Sequence, residues 1–292
     1  MRPGSRQPAA RTDAGHLCPG YTYRGAVAAE LKVMHLGAIS TGMVVLLGVI
    51  VVVPAFTQKN APPQLATMLL FSVAENAAGD GLPAWCQDLA EVLEKHGVKA
   101  AVFVAGRVAD EHPQCVSIFS RNGDIDVGSQ TYSYIDLALV ADYSLALDEV
   151  RKGKQAVDMA GNIDSHLFQA PYGSVDEENI YSMLSRSGIS ADFSYADHYN
   201  KYYDGEFIRY NISRYDGSEH PASFFSGLGS AGHHQSSLSS PIVITFDSSV
   251  PVPQIDKFLG ELQSARPDNY DFQFVNASDL AGTTLTARKE SP

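Results

Sequence analysis

The sequence predicts an α/β fold, a distorted (β/α) barrel of about seven strands behind one N-terminal transmembrane helix. Three observations lead there. Short apolar runs alternate with amphipathic stretches from residue 66 to residue 275, an uncharged block of 21 residues precedes them, and 45% hydrophobic content over 292 residues suffices for one large buried core. A formal charge of -12 and a pI near 5.1 exclude a sequence-independent grip on nucleic acid, which needs clustered Lys and Arg.

The charge is divided unevenly. Residues 1–58 hold Arg2, Arg6, Arg11, Arg24 and Lys32 against Asp13 and Glu30, whereas residues 59–292 carry a net -15. No Asp, Glu, Lys or Arg occurs from Val33 to Gln58, and 36–56 contains Met43-Val44-Val45-Leu46-Leu47 and Val49-Ile50-Val51-Val52-Val53. That length matches the ~20 residues a helix needs to cross the hydrocarbon core. Basic residues on its N-terminal side place the N-terminus in the cytoplasm and the rest outside, a single-pass topology. A cleaved signal peptide is the competing reading, with Met34 as an alternative start and Val53-Pro54-Ala55 resembling a cleavage site. A buried core segment is the third reading, disfavoured by the Pro62-Pro63 linker. The expected boundaries are a cytoplasmic tail over 1–35, the span over 36–56, a linker over 57–65, the barrel over 66–282 and a tail over 283–292.

Within the barrel, 66–73 reads as a buried strand and 82–96 as a helix with Leu89, Val92 and Leu93 on one face, closed by Gly97. A strand over 99–105, a helix over 108–120 and a strand over 124–129 follow. The cycle continues with a helix at 143–159, a strand at 166–170, a helix at 176–187 and a strand at 189–195. A strand-like run at 206–212, a Ser/Gly/His-rich loop at 218–240, a strand at 241–246, a helix at 252–265 and a strand at 271–275 complete it. Such alternation argues for parallel strands with helices outside, and places any chemistry at the strands' C-terminal ends. Cys86 and Cys115 fall in helical segments of this region; an oxidising compartment lets them pair, and two separate buried thiols are the alternative. Cys18 lies in the N-terminal tail. Asn211-Ile212-Ser213 and Asn276-Ala277-Ser278 are glycosylation sequons.

Two strand ends carry a specific pattern. Asp126-Val127-Gly128-Ser129-Gln130-Thr131-Tyr132-Ser133-Tyr134, then Phe168-Gln169-Ala170-Pro171-Tyr172-Gly173, resemble the polysaccharide deacetylase (NodB-homology, carbohydrate esterase) family, whose segments read G-N-H-T-x-x-H and R-x-P-Y-G. Ala101-Val102-Phe103-Val104 fits the strand expected before them. The resemblance spans residues 66–275 and is clearest over 82–195. It implies a barrel and a metal-assisted hydrolysis of acetyl groups on a sugar polymer: one Asp and two His hold a divalent cation, a second Asp is the base and a His the acid.

This chain departs from the pattern at each chemical position. The T-F-D-D-G motif aligns with Leu70-Phe71-Ser72-Val73-Ala74, putting Ser72 at the base and Val73 at the metal carboxylate. Gln130 and Tyr134 replace the ligand histidines, Gln169 replaces the arginine that orients the base, and Phe246 is the nearest match to the acid histidine. Gly128, Thr131, Pro171, Tyr172 and Gly173 persist. No catalytic residue and no metal or other cofactor is therefore expected. Thr131, Tyr134, Tyr172 and Asp192 remain as a substrate groove, with Asp192 reduced to a hydrogen bond. Tyr132, Tyr195, Tyr199, Tyr202 and Tyr203 add aromatic faces suited to sugar rings or to a protein partner.

Raw material for a rebuilt metal site exists in Glu75, Asp80, Asp192, Asp197, His198, His220 and His233-His234, although a His pair in Gly/Ser-rich sequence usually marks solvated loop. The expectation is a membrane-anchored, extracytoplasmic, catalytically silent deacetylase-like protein. It binds cell-surface glycan or supports a membrane complex, where Gly37, Gly42 and Gly48 allow close helix approach. The alternative is an active carbohydrate deacetylase with a rearranged, zinc-type site.

Overall fold

The computed structural model describes residues 64–74, 81–173, 177–203, 206–218, 241–264 and 271–280. The expected span over 36–56, the tails over 1–35 and 283–292 and most of the linker lie outside them, as do Glu75, Asp80, His220, His233 and His234. No helix among the described residues is long and apolar enough to cross a membrane.

The first strand, β1 (Gln64–Val73), starts two residues before the expected domain boundary and is buried almost throughout. Its side chains alternate, as a strand buried on both faces requires. Leu69, Phe71 and Val73 pack against the outer helices, while Met68 and Leu70 fill the barrel. Next comes α1 (Leu82–His96), which buries Trp85, Cys86, Leu89 and Leu93 and ends at Gly97 in the left-handed region, φ 59°. After β2 (Ala100–Val104), the helix expected over 108–120 is two: α2 (Gly106–Glu111) and α3 (Pro113–Ser120). Pro113 is the cause, since it lacks the N–H that would continue the first helix and disfavours helical geometry at His112, which sits at φ -130°, ψ 58°.

From β3 (Ile125–Ser129) the chain passes through the motif loop to α4 (Tyr143–Gly161), capped by Asp142 and closed by Asn162 at φ 50°. Two short strands, β4 (Leu167–Phe168) and β5 (Ala191–Asp192), flank α5 (Glu177–Arg186). The run expected as a barrel strand over 206–212 is displaced from that role. It forms β7 (Glu206–Asn211), the second arm of an antiparallel hairpin whose first arm, β6 (His198–Tyr203), was expected as loop. Tyr199 and Tyr202 in β6 and Tyr210 in β7 favour this, because aromatic side chains suit the pleated, half-buried surface of a strand.

The barrel position passes to β8 (Ser213–Asp216), followed by β9 (Ile242–Asp247), α6 (Val252–Ser264) and β10 (Asp271–Phe274). The described sheet has ten strands rather than seven, ordered β7-β6-β5-β4-β3-β2-β1-β9-β8, with β10 pairing the start of β1. All pairings are parallel except those of the hairpin. The circle is nearly closed: β8 and β5 do not pair, but Ile212 N–H donates to Asp197 O at 2.8 Å and Arg214 Nη2 to Phe193 O at 2.6 Å. Gly128 admits the Phe103 ring to the interior, since a Cβ there would meet that ring at 2.4 Å.

Candidate functional site

At the C-terminal ends of β1, β3, β4, β8 and β9 lies a cavity of about 340 Å³, bordered among others by Ser72, Gln130, Tyr134, Gln169, Tyr172, Arg214, Asp216 and Asp247. The structure thus gathers most of the positions singled out in the sequence. Ser72 is the last inward-facing residue of β1. Its Oγ accepts a hydrogen bond from Gln130 Nε2 at 2.8 Å and stands 3.5 Å from the Tyr134 hydroxyl. The same amide nitrogen reaches Gln169 Oε1 at 3.4 Å, so neutral groups link the three positions. Gln130 Oε1 is buried and has no partner.

Val73 does not join them, being turned into the helix-facing core with no exposure. Phe246 packs in the same core, stacked on Phe71 at 5.1 Å and edge-on to Phe258 at 5.4 Å, while also bordering the cavity. Thr131 closes the motif loop instead of lining the groove: its Oγ1 accepts from Ile135 N–H at 3.0 Å.

Two tyrosines are held in an unusual backbone state. Tyr134 has φ 56° and Tyr172 φ 60°, a region costly for bulky side chains, and their rings meet edge to face at 5.3 Å. Tyr172 is 70% exposed, so burial does not explain its placement. Burial does raise the Tyr134 phenol above its ordinary pKa, which keeps it protonated and a poor metal ligand. The Pro171-Tyr172-Gly173 turn is held from below. Asp192 accepts from Ser194 N–H at 3.0 Å and from its hydroxyl, and Ser194 Oγ accepts from Ala170 N–H at 2.8 Å. Asp192 is fully buried and does not line the cavity; burial raises its pKa to about 6, opposed by Ser194 and Arg214.

Sequence reasoning missed Arg214, Asp216 and Asp247. Their signal was the inward register of β8 and β9, legible only once Asp216 pairs beside Thr245 and Asp247 beside Ser72. Arg214 directs its guanidinium at Phe193 O and faces Asp192, while burial lowers its pKa to about 10. A positive charge therefore stands near the base of the site, carried by a different strand from Gln169.

The other candidates lie elsewhere. His198 Nδ1 and Asp197 Oδ1 are 2.6 Å apart on the hairpin, with the imidazole stacked on Tyr195 at 4.1 Å. Tyr199 is buried between Phe193 and Tyr210, and the Tyr132 hydroxyl donates to Asp110 at 3.0 Å. Cys86 and Cys115 form a disulfide with Cα atoms 5.3 Å apart; Cys18 is outside the described residues. Asn211 is exposed, but Asn276 is 5% exposed and accepts from Asp279 N–H at 2.9 Å, a capping role that closes this sequon to a glycan.

Residues 78–191 match the family model described as polysaccharide deacetylase. Over that stretch the chain is similar to the polysaccharide deacetylase family. No curated protein matches the chain. Among solved structures, a CE4 family pseudoenzyme from Bacillus anthracis is 16% identical with a TM-score of 0.52, over 75% of this chain and 66% of its own. This chain thus spans just under two thirds of that protein. The peptidoglycan deacetylase PdaC of Bacillus subtilis is 15% identical with a TM-score of 0.53, over 79% of this chain and 96% of its own. A putative polysaccharide deacetylase from Mycobacterium smegmatis is 15% identical with a TM-score of 0.57, covering 80% and 96%. At these identities the likeness is one of fold.

The deacetylase family's metal does not fit this donor set. A serine hydroxyl, a carboxamide and a protonated phenol offer neither charge nor imidazole nitrogen, and no group of three His, Cys, Asp or Glu suited to a metal occurs among the described residues.

Proposed function

We propose that this protein is a catalytically silent member of its family, anchored in the membrane with its barrel outside the cytoplasm, and that it holds a cell-envelope glycan at the barrel mouth. One observation carries the reading. Ser72, Gln130 and Gln169 form a neutral hydrogen-bonded network where metal-dependent deacetylation needs a carboxylate, an imidazole and a guanidinium. What the mouth keeps is a cavity with polar lining and the crossed rings of Tyr134 and Tyr172, features suited to sugar hydroxyls and ring faces. The Cys86–Cys115 disulfide and the uncharged 36–56 block support an extracytoplasmic, anchored domain. The neighbours named above include a pseudoenzyme and a peptidoglycan deacetylase, in keeping with an inactive relative that meets envelope glycan.

The test uses the full chain in mild detergent. Acetate release from N-acetylglucosamine oligomers is followed with Zn²⁺, Co²⁺ or Ni²⁺, and oligomer binding is followed by calorimetry. Binding without release is expected. Chelator-sensitive acetate release overturns the silent assignment, and absence of any glycan binding overturns the role. Protease accessibility of the barrel in intact cells checks the topology.

A further inference from the structure

Resting on the glycan reading, we propose that the mouth selects amino sugars whose nitrogen is free and protonated over their N-acetylated forms. Asp216 and Asp247 end adjacent parallel strands and border the same cavity. Their partners among the described residues are backbone N–H groups and a hydroxyl: Asp216 accepts from Ser218 N–H at 2.8 Å, Asp247 from Ser249 N–H at 2.7 Å and from the Ser249 hydroxyl. Neither has a basic partner among the described residues. Arg214, the nearby cation, is committed to Phe193 O and faces Asp192.

Independently of the acidic pair, Gln130 is 1% exposed, borders the cavity and leaves Oε1 without a donor. Three acceptors thus border one cavity, and Arg214, which also borders it, is held by Phe193 O beside Asp192. A primary ammonium brings one positive charge and three donors. An acetamide is neutral and brings one N–H, so it lacks the charge–charge attraction to the two carboxylates. The Tyr134 and Tyr172 rings add faces that attract a cation and cover a sugar ring.

The experiment measures binding of a glucosamine hexamer and an N-acetylglucosamine hexamer to the full chain by calorimetry, in EDTA, at a pH that keeps the amine protonated. The barrel carries a large negative charge, so nonspecific attraction is controlled with Glu91→Gln on the exposed face of α1. The expected result is at least a tenfold preference for the glucosamine hexamer, reduced about tenfold by Asp216→Asn or Asp247→Asn and unchanged by Glu91→Gln. Equal or tighter binding of the acetylated hexamer overturns the selectivity and leaves the glycan reading standing. A preference that both Asn variants retain, or that Glu91→Gln reduces equally, assigns it to general charge and also overturns the proposal. Binding of neither hexamer overturns the glycan reading as well. Circular dichroism confirms that each variant is folded.

Discussion

Replacing Asp192 with asparagine probes the charge buried beneath the mouth. The carboxyl is inaccessible to solvent, accepts two hydrogen bonds from Ser194 and leaves Oδ2 without a partner. Burial is the largest influence on it and raises its pKa from 3.8 to about 6, with Ser194 and Arg214 pulling the other way. Between those two values the folded protein binds more protons than the unfolded chain, so this group's contribution to stability falls as pH rises through that window. A displacement of about two pH units corresponds to ~3 kcal/mol lost between pH 4 and pH 7. Asparagine keeps an oxygen for Ser194 and does not titrate. Urea unfolding of wild type and Asp192→Asn, followed by circular dichroism from pH 4 to pH 7.5, gives the difference in stability at each pH. That difference is expected to move by ~3 kcal/mol in favour of the variant as pH rises. A difference independent of pH refutes the reasoning, and one that moves toward wild type shows attraction to Arg214 outweighing desolvation.

Other perturbations test the framework around the site. Gly153 of α4 lies where a Cβ would meet Gln130 O at 2.0 Å, so Gly153→Ala is expected to cost about 3 kcal/mol in urea unfolding, the upper end for overpacking against backbone, and to disturb the motif loop. The Cys86–Cys115 bridge closes a loop with a sequence separation of 29, so its reduction, or Cys86→Ser with Cys115→Ser, should lower unfolding free energy by about 3 to 4 kcal/mol. Tyr172→Ala removes an exposed ring; stability should change by less than about 0.5 kcal/mol in the same assay, while calorimetry shows glycan binding weakened severalfold.

Much of this protein was legible in its sequence because the governing signals are local. Apolar runs marked β1, β2 and β9 as buried strands, since a strand covered on both faces must be apolar at successive positions. Gly97 announced the end of α1, and the spaced motifs around Gly128 and Pro171-Tyr172-Gly173 pointed to the deacetylase family through turns that few other residues form. That Gln130 and Tyr134, not histidines, stand at the two positions the resemblance marks is equally plain from the sequence.

Tertiary structure decided the rest. Whether an end-of-strand residue faces the barrel or the helices depends on register, which turned Val73 away from the site, packed Phe246 into the helix-facing core and brought Arg214, Asp216 and Asp247 to the cavity. The hairpin of β6 and β7 drew its strand character from mutual pairing, not from an apolar run. Sequence alone therefore determined the family resemblance over residues 78–191 and which residue types stand at its motif positions. Three-dimensional pairing of strands distant in the chain determined which charges meet at the mouth, because side-chain direction is fixed by hydrogen-bonded neighbours rather than by residue identity.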